Sequence, residues 1–383
     1  HSKKSLHAGT MGKSWCEYLF TSLFKDEDYI RGIFGLFAAN LKIGLIYPAT
    51  AEEMPYWCHS WLSNNQSARK LFNQLKINVD TSSYIDFPVG SMFWARSRAL
   101  QPLFGLRLTF DDFPEEPIPN DGTLCHAIER SFCISAHIRG LTFAEVDIRM
   151  GDFSVGEGKK NLWQYWARSI DHLRRSLEKF RKLSFDIFDT MVTRPLLAPD
   201  HAFLLMQHKI ELELNVRIDF PVMRKKSESL ARERLKPGTD ATLRAIYECF
   251  AEITGLPAAT VERIRQIEIE NEISLSLPRE EMSELVTSLQ RDGRKITFMS
   301  DMYLPSEVIG RILAKHGIEA STSQIMVSSE TGMRKDPGEI WPHFLKQVAQ
   351  IHVGDNEHSD IQMAVDNGVP SYHVMSPRRL CEL

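Results

Sequence analysis

Four short segments carry the residues best suited to chemistry, and they come in a fixed order. They are Phe185-Asp186-Ile187-Phe188-Asp189-Thr190, Met299-Ser300-Asp301, Arg334-Lys335-Asp336-Pro337 and Gly354-Asp355-Asn356-Glu357-His358-Ser359-Asp360. An aspartate carboxylate can attack phosphorus and form an aspartyl phosphate, which divides one hard displacement into two easier ones. Asp186 is the candidate nucleophile. Asp355 and Asp360, together with Asp186, are suited to hold a hard cation that prefers oxygen ligands, and Mg2+ is the natural choice. The Ser300 hydroxyl would hold a phosphoryl oxygen, and the Lys335 ammonium would offset the crowding of negative charge. Each segment taken alone also reads as a strand-end turn, with Asp189, Asp301 or Asp355 capping a helix. Four in order point instead to a Mg2+-dependent phosphoryl-transfer site.

The elements that must position these groups are legible as short apolar runs just before them: Leu183 to Asp186, Lys295 to Met299, Ile325 to Val327 and Gln350 to Val353. Intervening stretches have helical spacing. This is the pattern of an α/β fold whose parallel strands are buried on both faces. Ligands of such sheets bind outside the carboxyl ends of the strands, so Asp186, Ser300, Lys335 and Asp355 are expected to converge.

At these residues the chain resembles the haloacid dehalogenase (HAD) superfamily, whose motifs are a nucleophile loop, a Ser/Thr, a Lys and a terminal acidic pair. The resemblance covers roughly residues 180 to 383. It implies a Rossmann-like parallel sheet, a helical cap at about 197–290 within a domain of 183–383, and phosphomonoester hydrolysis through an aspartyl phosphate. Helical spacing runs from Asp200 to Leu214, Met223 to Leu235, Ala241 to Ile253 and Ala258 to Leu275. Asp200 and Thr260 offer N-cap groups, and Pro237-Gly238 and Gly255-Leu256-Pro257 mark breaks. One departure stands out. The family's phosphatases carry a second aspartate two residues after the nucleophile as acid and base, and here that place is Phe188. Several explanations stay open: a substrate with a good leaving group, acid/base work by Asp189 or another residue, or a domain that binds phosphate without turning it over. Carbon–halogen hydrolysis is a fourth, disfavoured by the acidic segment from Asp355 to Asp360, because displacing halide needs no cation.

The first 150 residues differ. Phe87-Pro88-Val89-Gly90-Ser91-Met92-Phe93-Trp94-Ala95-Arg96 and Asp121-Gly122-Thr123-Leu124-Cys125-His126-Ala127-Ile128-Glu129-Arg130, with His1-Ser2-Lys3-Lys4-Ser5 and Gly44-Leu45-Ile46-Tyr47-Pro48, resemble the rhamnan synthesis protein F family. That resemblance spans roughly residues 1 to 140. It implies a partial α/β glycosyltransferase-like module of bacterial surface-polysaccharide synthesis, with a nucleotide sugar as a further ligand. Gly90 and Ser91 suit a tight turn near a ligand, and Phe93 and Trp94 suit either sugar stacking or a core. Asp121 and Glu129 could serve as base or hydroxyl acceptors and His126 could meet a diphosphate or cation, although Asp121-Gly122-Thr123 is also a good turn with Thr123 as helix cap. Phe113-Pro114-Glu115-Glu116 is either a further carboxylate near the acceptor or an exposed acidic loop. Such a module normally opens with a nucleotide-binding segment, so the sequence reads as a fragment. Asp26-Glu27-Asp28 lacks an apolar strand before it and reads as a solvated turn or helix start.

With 383 residues, 43% hydrophobic and 25% charged, there is chain enough for two or three cores. A net charge of -4 gives no nucleic-acid footprint. The six cysteines, Cys16, Cys58, Cys125, Cys133, Cys249 and Cys381, form no Cys-x-x-Cys, which fits reduced thiols and a cytoplasmic setting. No run approaches the roughly twenty apolar residues needed to cross a bilayer, so membrane association is expected to be peripheral at most. Gly151 to Lys160 reads as a linker. Asn161 to Lys182, with Trp163, Trp166, Ile170, Leu173 and Leu177 at near-helical spacing, reads as one connecting helix.

Overall fold

The computed structural model describes residues 11–51, 54–119, 121–148, 152–155, 162–166, 168–236, 238–344 and 350–382. The chain divides into two compact units, His1–Ala167 and Arg168–Leu383.

The first unit is built on a small mixed sheet of β1 (Ile43–Pro48), β2 (Trp94–Ala95), β3 (Thr142–Asp147) and β4 (Asp152–Val155), in the order β2-β1-β3-β4. β1 and β3 are parallel, and the two outer strands run antiparallel to their neighbours. All of β1 is buried, and side chains alternate between faces from Leu45 onward, after a register shift between Ile43 and Leu45. Helices α1 (Met11–Phe24) and α2 (Glu27–Ala39) precede the sheet, and α3 (Asn65–Leu75), α4 (Ser97–Phe104), α5 (Leu124–Arg130) and α6 (Phe132–Ile138) lie between its strands in sequence. Leu45 and Tyr47 pack with Ala99 of α4 and with Cys133 and Ala136 of α6. Ile43 and Ile46 pack with Ile33 and Phe37 of α2. A Cβ on Gly44 would come within 2.9 Å of Leu141 Cβ, so this position tolerates only glycine at the present spacing.

Two expectations for residues 151–182 are corrected, and two readings left open nearer the start of the chain are decided. Residues 152–155 form a paired strand, so the expected linker is in part sheet; residues 151 and 156–160 lie outside the described residues, as does the His1–Ser5 cluster. The 161–182 stretch is two helices, α7 (Trp163–Trp166) and α8 (Ile170–Leu177). The break falls at Ser169, which is extended and caps α8 with its hydroxyl. Phe93 and Trp94 are packing residues: Phe93 lies 4.7 Å from Phe132, and Trp94 lies 5.3 Å from both Phe24 and Phe34. Asp26 caps α2 by accepting from the Tyr29 amide, so Asp26-Glu27-Asp28 is a helix start.

The second unit holds a five-stranded sheet of β5 (Lys182–Asp186), β8 (Lys295–Ser300), β9 (Ile325–Val327), β10 (Gln350–Gly354) and β11 (Ser371–His373), with a two-stranded ribbon of β6 (Val192–Thr193) and β7 (Leu277–Pro278). The strand order is β11-β10-β5-β8-β9, and every pair is parallel. All of β10 and four of the five residues of β5 are buried. The ribbon closes the base of a helical insert of α9 (Ala202–Leu214), α10 (Phe220–Glu233), α11 (Leu243–Thr254) and α12 (Ala258–Leu275). Helix α13 (Glu280–Arg291), counted with the insert on sequence, follows the ribbon, packs on α8 and leads into β8. After β8, α14 (Ser306–Lys315) leads to β9.

Two expected caps are corrected. Asp200 lies in a 3-10 turn ahead of α9 and pairs with Lys225, and Thr260 sits inside the first turn of α12. Asp219 and Thr242 cap α10 and α11 instead. Gly255 ends α11 in the left-handed region, as its place in the sequence suggests, whereas Pro237 lies outside the described residues. The insert is tied together at a buried pair, where Arg224 Nε and Nη2 each donate at 2.9 Å to Glu268, which also accepts from the Tyr247 hydroxyl at 2.7 Å.

Candidate active site

The central strand β5 ends at Asp186, and the chain then turns sharply. The Met191 and Val192 amides donate to the Ile187 carbonyl, and Asp189 takes a left-handed φ of 63°. Beside β5, β8 ends at Ser300 and β10 ends at Gly354, just before Asp355. Asp360 comes from the π-helical turn Glu357–Gln362, whose start is capped by Asn356. Lys335 arrives on the loop after β9 and the short helix Ser328–Thr331. One cavity of about 520 Å³ is lined by Asp186, Asp189, Ser300, Lys335, Asp355 and Asp360, and so by all six residues that the sequence set aside in this half.

At its floor the Lys335 ammonium donates to Asp186 Oδ1 at 2.5 Å and to Asp360 Oδ1 at 2.6 Å, with all three side chains buried. Asp360 Oδ2 also accepts from the Asn356 amide at 3.0 Å, and Asp355 Oδ1 from the Thr190 hydroxyl at 3.3 Å. Carboxylate oxygens of Asp186, Asp355 and Asp360 lie within 4.8 Å of one another. A Cβ on Gly354 would fall 2.4 Å from Asp360 Cγ, so this glycine makes room for the carboxylate.

The electrostatics follow from three carboxylates sharing one cation in a dry place. Burial, relieved by Lys335 and aggravated by Asp360, pushes Asp186 up to about 7. Burial and the charges of Asp186 and Asp360 hold Asp355 well above the usual carboxylate range. For Asp360 burial is outweighed by Lys335 and by a hydrogen bond from His352, and its value is lowered. Lys335 is raised, because its three acidic neighbours Asp186, Asp360 and Asp301 overcome the cost of burial. The cluster is therefore short of positive charge, and its donors are hard oxygens. Both features fit a divalent cation such as Mg2+.

Further contacts complete the site, some of them from residues the sequence did not single out. Asp301 accepts the Lys335 amide at 2.9 Å and the Asp336 amide at 3.2 Å, which fixes the lysine loop. It thus binds across loops and caps no helix of its own, and Asp189 likewise accepts from the Thr193 hydroxyl at 2.8 Å. Phe188 lies under the Arg194 guanidinium, 4.2 Å from ring centre to Cζ, and Arg194 Nε and Nη2 donate to the buried Glu272 at 2.9 and 2.7 Å. Arg194 and Glu272 line the cavity with Phe203 and Tyr303. No sequence signal marks this pair, whose members are 78 positions apart.

In the first unit the expected residues fall into two clusters. Gly90 has φ 99°, its amide and the Ser91 hydroxyl both donate to Glu129 Oε1 at 2.9 Å, and a Cβ on Gly90 would press on Leu19 and Trp15. The close approach is therefore to α1. Asp121 accepts from the Ser63 amide and Asn64 Nδ2 and lies 3.5 Å from Arg130, whereas the Thr123 hydroxyl meets His126 Nδ1 at 2.8 Å and makes no cap bond.

Residues 1–139 match the family described as Rhamnan synthesis protein F. The uncharacterized protein WxcX of Xanthomonas campestris pv. campestris strain B100 is 31% identical over 156 residues, which are 39% of this chain and 21% of that protein, and the strain ATCC 33913 protein matches to the same extent. The chain thus spans about a fifth of the length of these curated relatives. Over about half of the chain the structure is similar to HAD hydrolases. The magnesium-bound YfnB structure from Bacillus subtilis is 15% identical and covers 54% of this chain and 98% of its own, with a TM-score of 0.36. The 2-haloacid dehalogenase from Pseudomonas syringae pv. Tomato DC3000 is 15% identical, covers 50% and 85%, and has a TM-score of 0.36. None of the six cysteines, all of them among the described residues, is joined in a disulfide, and no helix among the described residues is long and apolar enough to cross a membrane.

Proposed function

We propose that the second unit is a Mg2+-dependent phosphomonoester hydrolase acting on a phosphorylated sugar or glycan intermediate of bacterial surface-polysaccharide synthesis in the cytoplasm. The observation that carries this reading is the Lys335 ammonium bridging Asp186 and Asp360, with Asp355 close enough to complete an oxygen cage. Asp186, Asp355 and Asp360 would hold the cation, which supplies charge stabilisation to the phosphoryl oxygens. The Asp186 carboxylate attacks phosphorus, the ester oxygen leaves with its bonding pair, and an aspartyl phosphate remains. Water then attacks that phosphorus, the bond to Asp186 breaks, and inorganic phosphate is released. Lys335 favours the ionised form of Asp186 against the effect of burial and orients it, and Ser300 donates its hydroxyl to a phosphoryl oxygen. Asp189 is the carboxylate assigned to move the proton between leaving oxygen and water. The sugar-related substrate class rests on the rhamnan synthesis match of residues 1–139, and a nucleotide sugar is the corresponding ligand of the first unit. A cavity of about 520 Å³ falls in the range of small-molecule sites.

A phosphate-release screen over sugar phosphates with Mg2+, run beside Asp186→Asn, tests this. Release that the substitution abolishes is the expected result. Absence of release from every substrate would favour a second reading, in which the unit binds phosphate and scaffolds a glycosyltransferase. Phe188, held under Arg194 in the cavity wall, is the observation on that side.

A further inference from the structure

Beneath the carboxylate cluster lies a buried polar chain that the proposed chemistry leaves unused. Ser184 of β5 and His352 of β10 are both fully buried on neighbouring strands, where their residues are directly paired. Ser184 Oγ is 2.8 Å from His352 Nδ1, and His352 Nε2 is 3.2 Å from Asp360 Oδ1. A carboxylate that already binds the Lys335 ammonium can only accept, so Nε2 must carry the hydrogen toward it. Nδ1 of a neutral ring is then the acceptor, and the Ser184 hydroxyl donates to it. The serine thereby selects the tautomer that the aspartate requires. The edge of Trp341, 4.9 Å away between ring centres, fixes the plane of the imidazole. With Lys335 and His352 on Oδ1 and the Asn356 amide on Oδ2, three donors hold one carboxylate in a single orientation.

We infer that His352, with its tautomer set by Ser184, is a positioning residue that presents Asp360 to Lys335 and to the divalent cation. The inference rests on the metal-site reading above and deepens it. Groups that orient metal ligands in this way are typically worth about 10- to 100-fold in metal affinity.

The test compares His352→Gln with His352→Asn in the full chain, with Mg2+ binding followed by isothermal titration calorimetry and phosphate release from p-nitrophenyl phosphate followed alongside. The glutamine amide reaches the place of Nε2 and can still donate to Asp360. The asparagine amide reaches only the place of Nδ1 and can serve only Ser184. Expected are Mg2+ affinity near wild type for glutamine and a loss of about 10- to 100-fold for asparagine, with Ser184→Ala between them. A residue that merely fills space or satisfies Ser184 would give asparagine the same affinity as glutamine or a higher one, and that outcome overturns the inference. Near-UV circular dichroism identifies a variant that has not folded, in which case Ser184→Ala decides: unchanged Mg2+ affinity counts against the relay. A wild-type chain that binds Mg2+ without releasing phosphate removes the hydrolase reading alone, whereas one that binds no Mg2+ at millimolar concentration removes both.

Discussion

Single residues set the site's chemistry through crowding. Gly354 is the sharpest case, since even one methyl group would collide with Asp360. Gly354→Ala is expected to keep the secondary structure, read by far-UV circular dichroism, while lowering Mg2+ affinity by about tenfold or more. The raised carboxylates give a pH signature. Asp186, pushed up to about 7, must lose its proton before it can ligate a cation. Protons compete with the metal for Asp186 below that value and for the raised Asp355 as well, so affinity should rise with pH by at least about tenfold per unit below about 7. Calorimetric titration across this range checks the slope; an affinity that falls with rising pH would contradict it. That Asp186, Ser300 and Asp355 would share one cavity was legible because parallel strands announce themselves as apolar runs and their last residues face the ligand end. His352 was not, because a histidine inside such a run reads as one more strand position, and Arg194 and Glu272 meet only when the insert folds back.

Among the elements, the insert shows how a polar bond can specify a helical packing. Arg224 and Glu268 are fully buried, and removing one partner leaves an uncompensated charge in the core. Arg224→Ala is expected to cost about 3–5 kcal/mol, whereas Arg224→Met with Glu268→Leu should be nearly neutral. Urea denaturation separates the two outcomes. A second joint links insert and sheet: the Leu243 amide donates to the Tyr303 carbonyl, and the buried Asp240 accepts from Ser328 and from Arg232 at 2.5 and 2.6 Å. Helix positions were readable from spacing, and α12 matches its expected limits. The caps were less so, because Asp200 is drawn to Lys225, a partner 25 positions away that no local rule reveals. The stretch expected as one connecting helix fails for the opposite reason, since its heptad-like spacing hides the local extended turn at Ser169.

For the whole molecule, two units with separate cores should respond separately to heat. Calorimetry is expected to resolve two transitions, of which Mg2+ raises only that of residues 168–383. At a hundred times its dissociation constant a ligand adds about 2.7 kcal/mol, ample for a visible shift. A shift of both transitions together would contradict independent cores. The strand order carries a further consequence. β5, with Asp186, is made first yet stands in the middle, and it is flanked by strands that begin at Lys295 and Gln350. While the polypeptide is still emerging from the ribosome, the aspartate is displayed without its lysine and without its acidic companions. On the proposed reading, hydrolytic capacity would switch on only once nearly all of this unit has been translated, and a nascent chain halted before Gln350 should be inert however well its helices have formed.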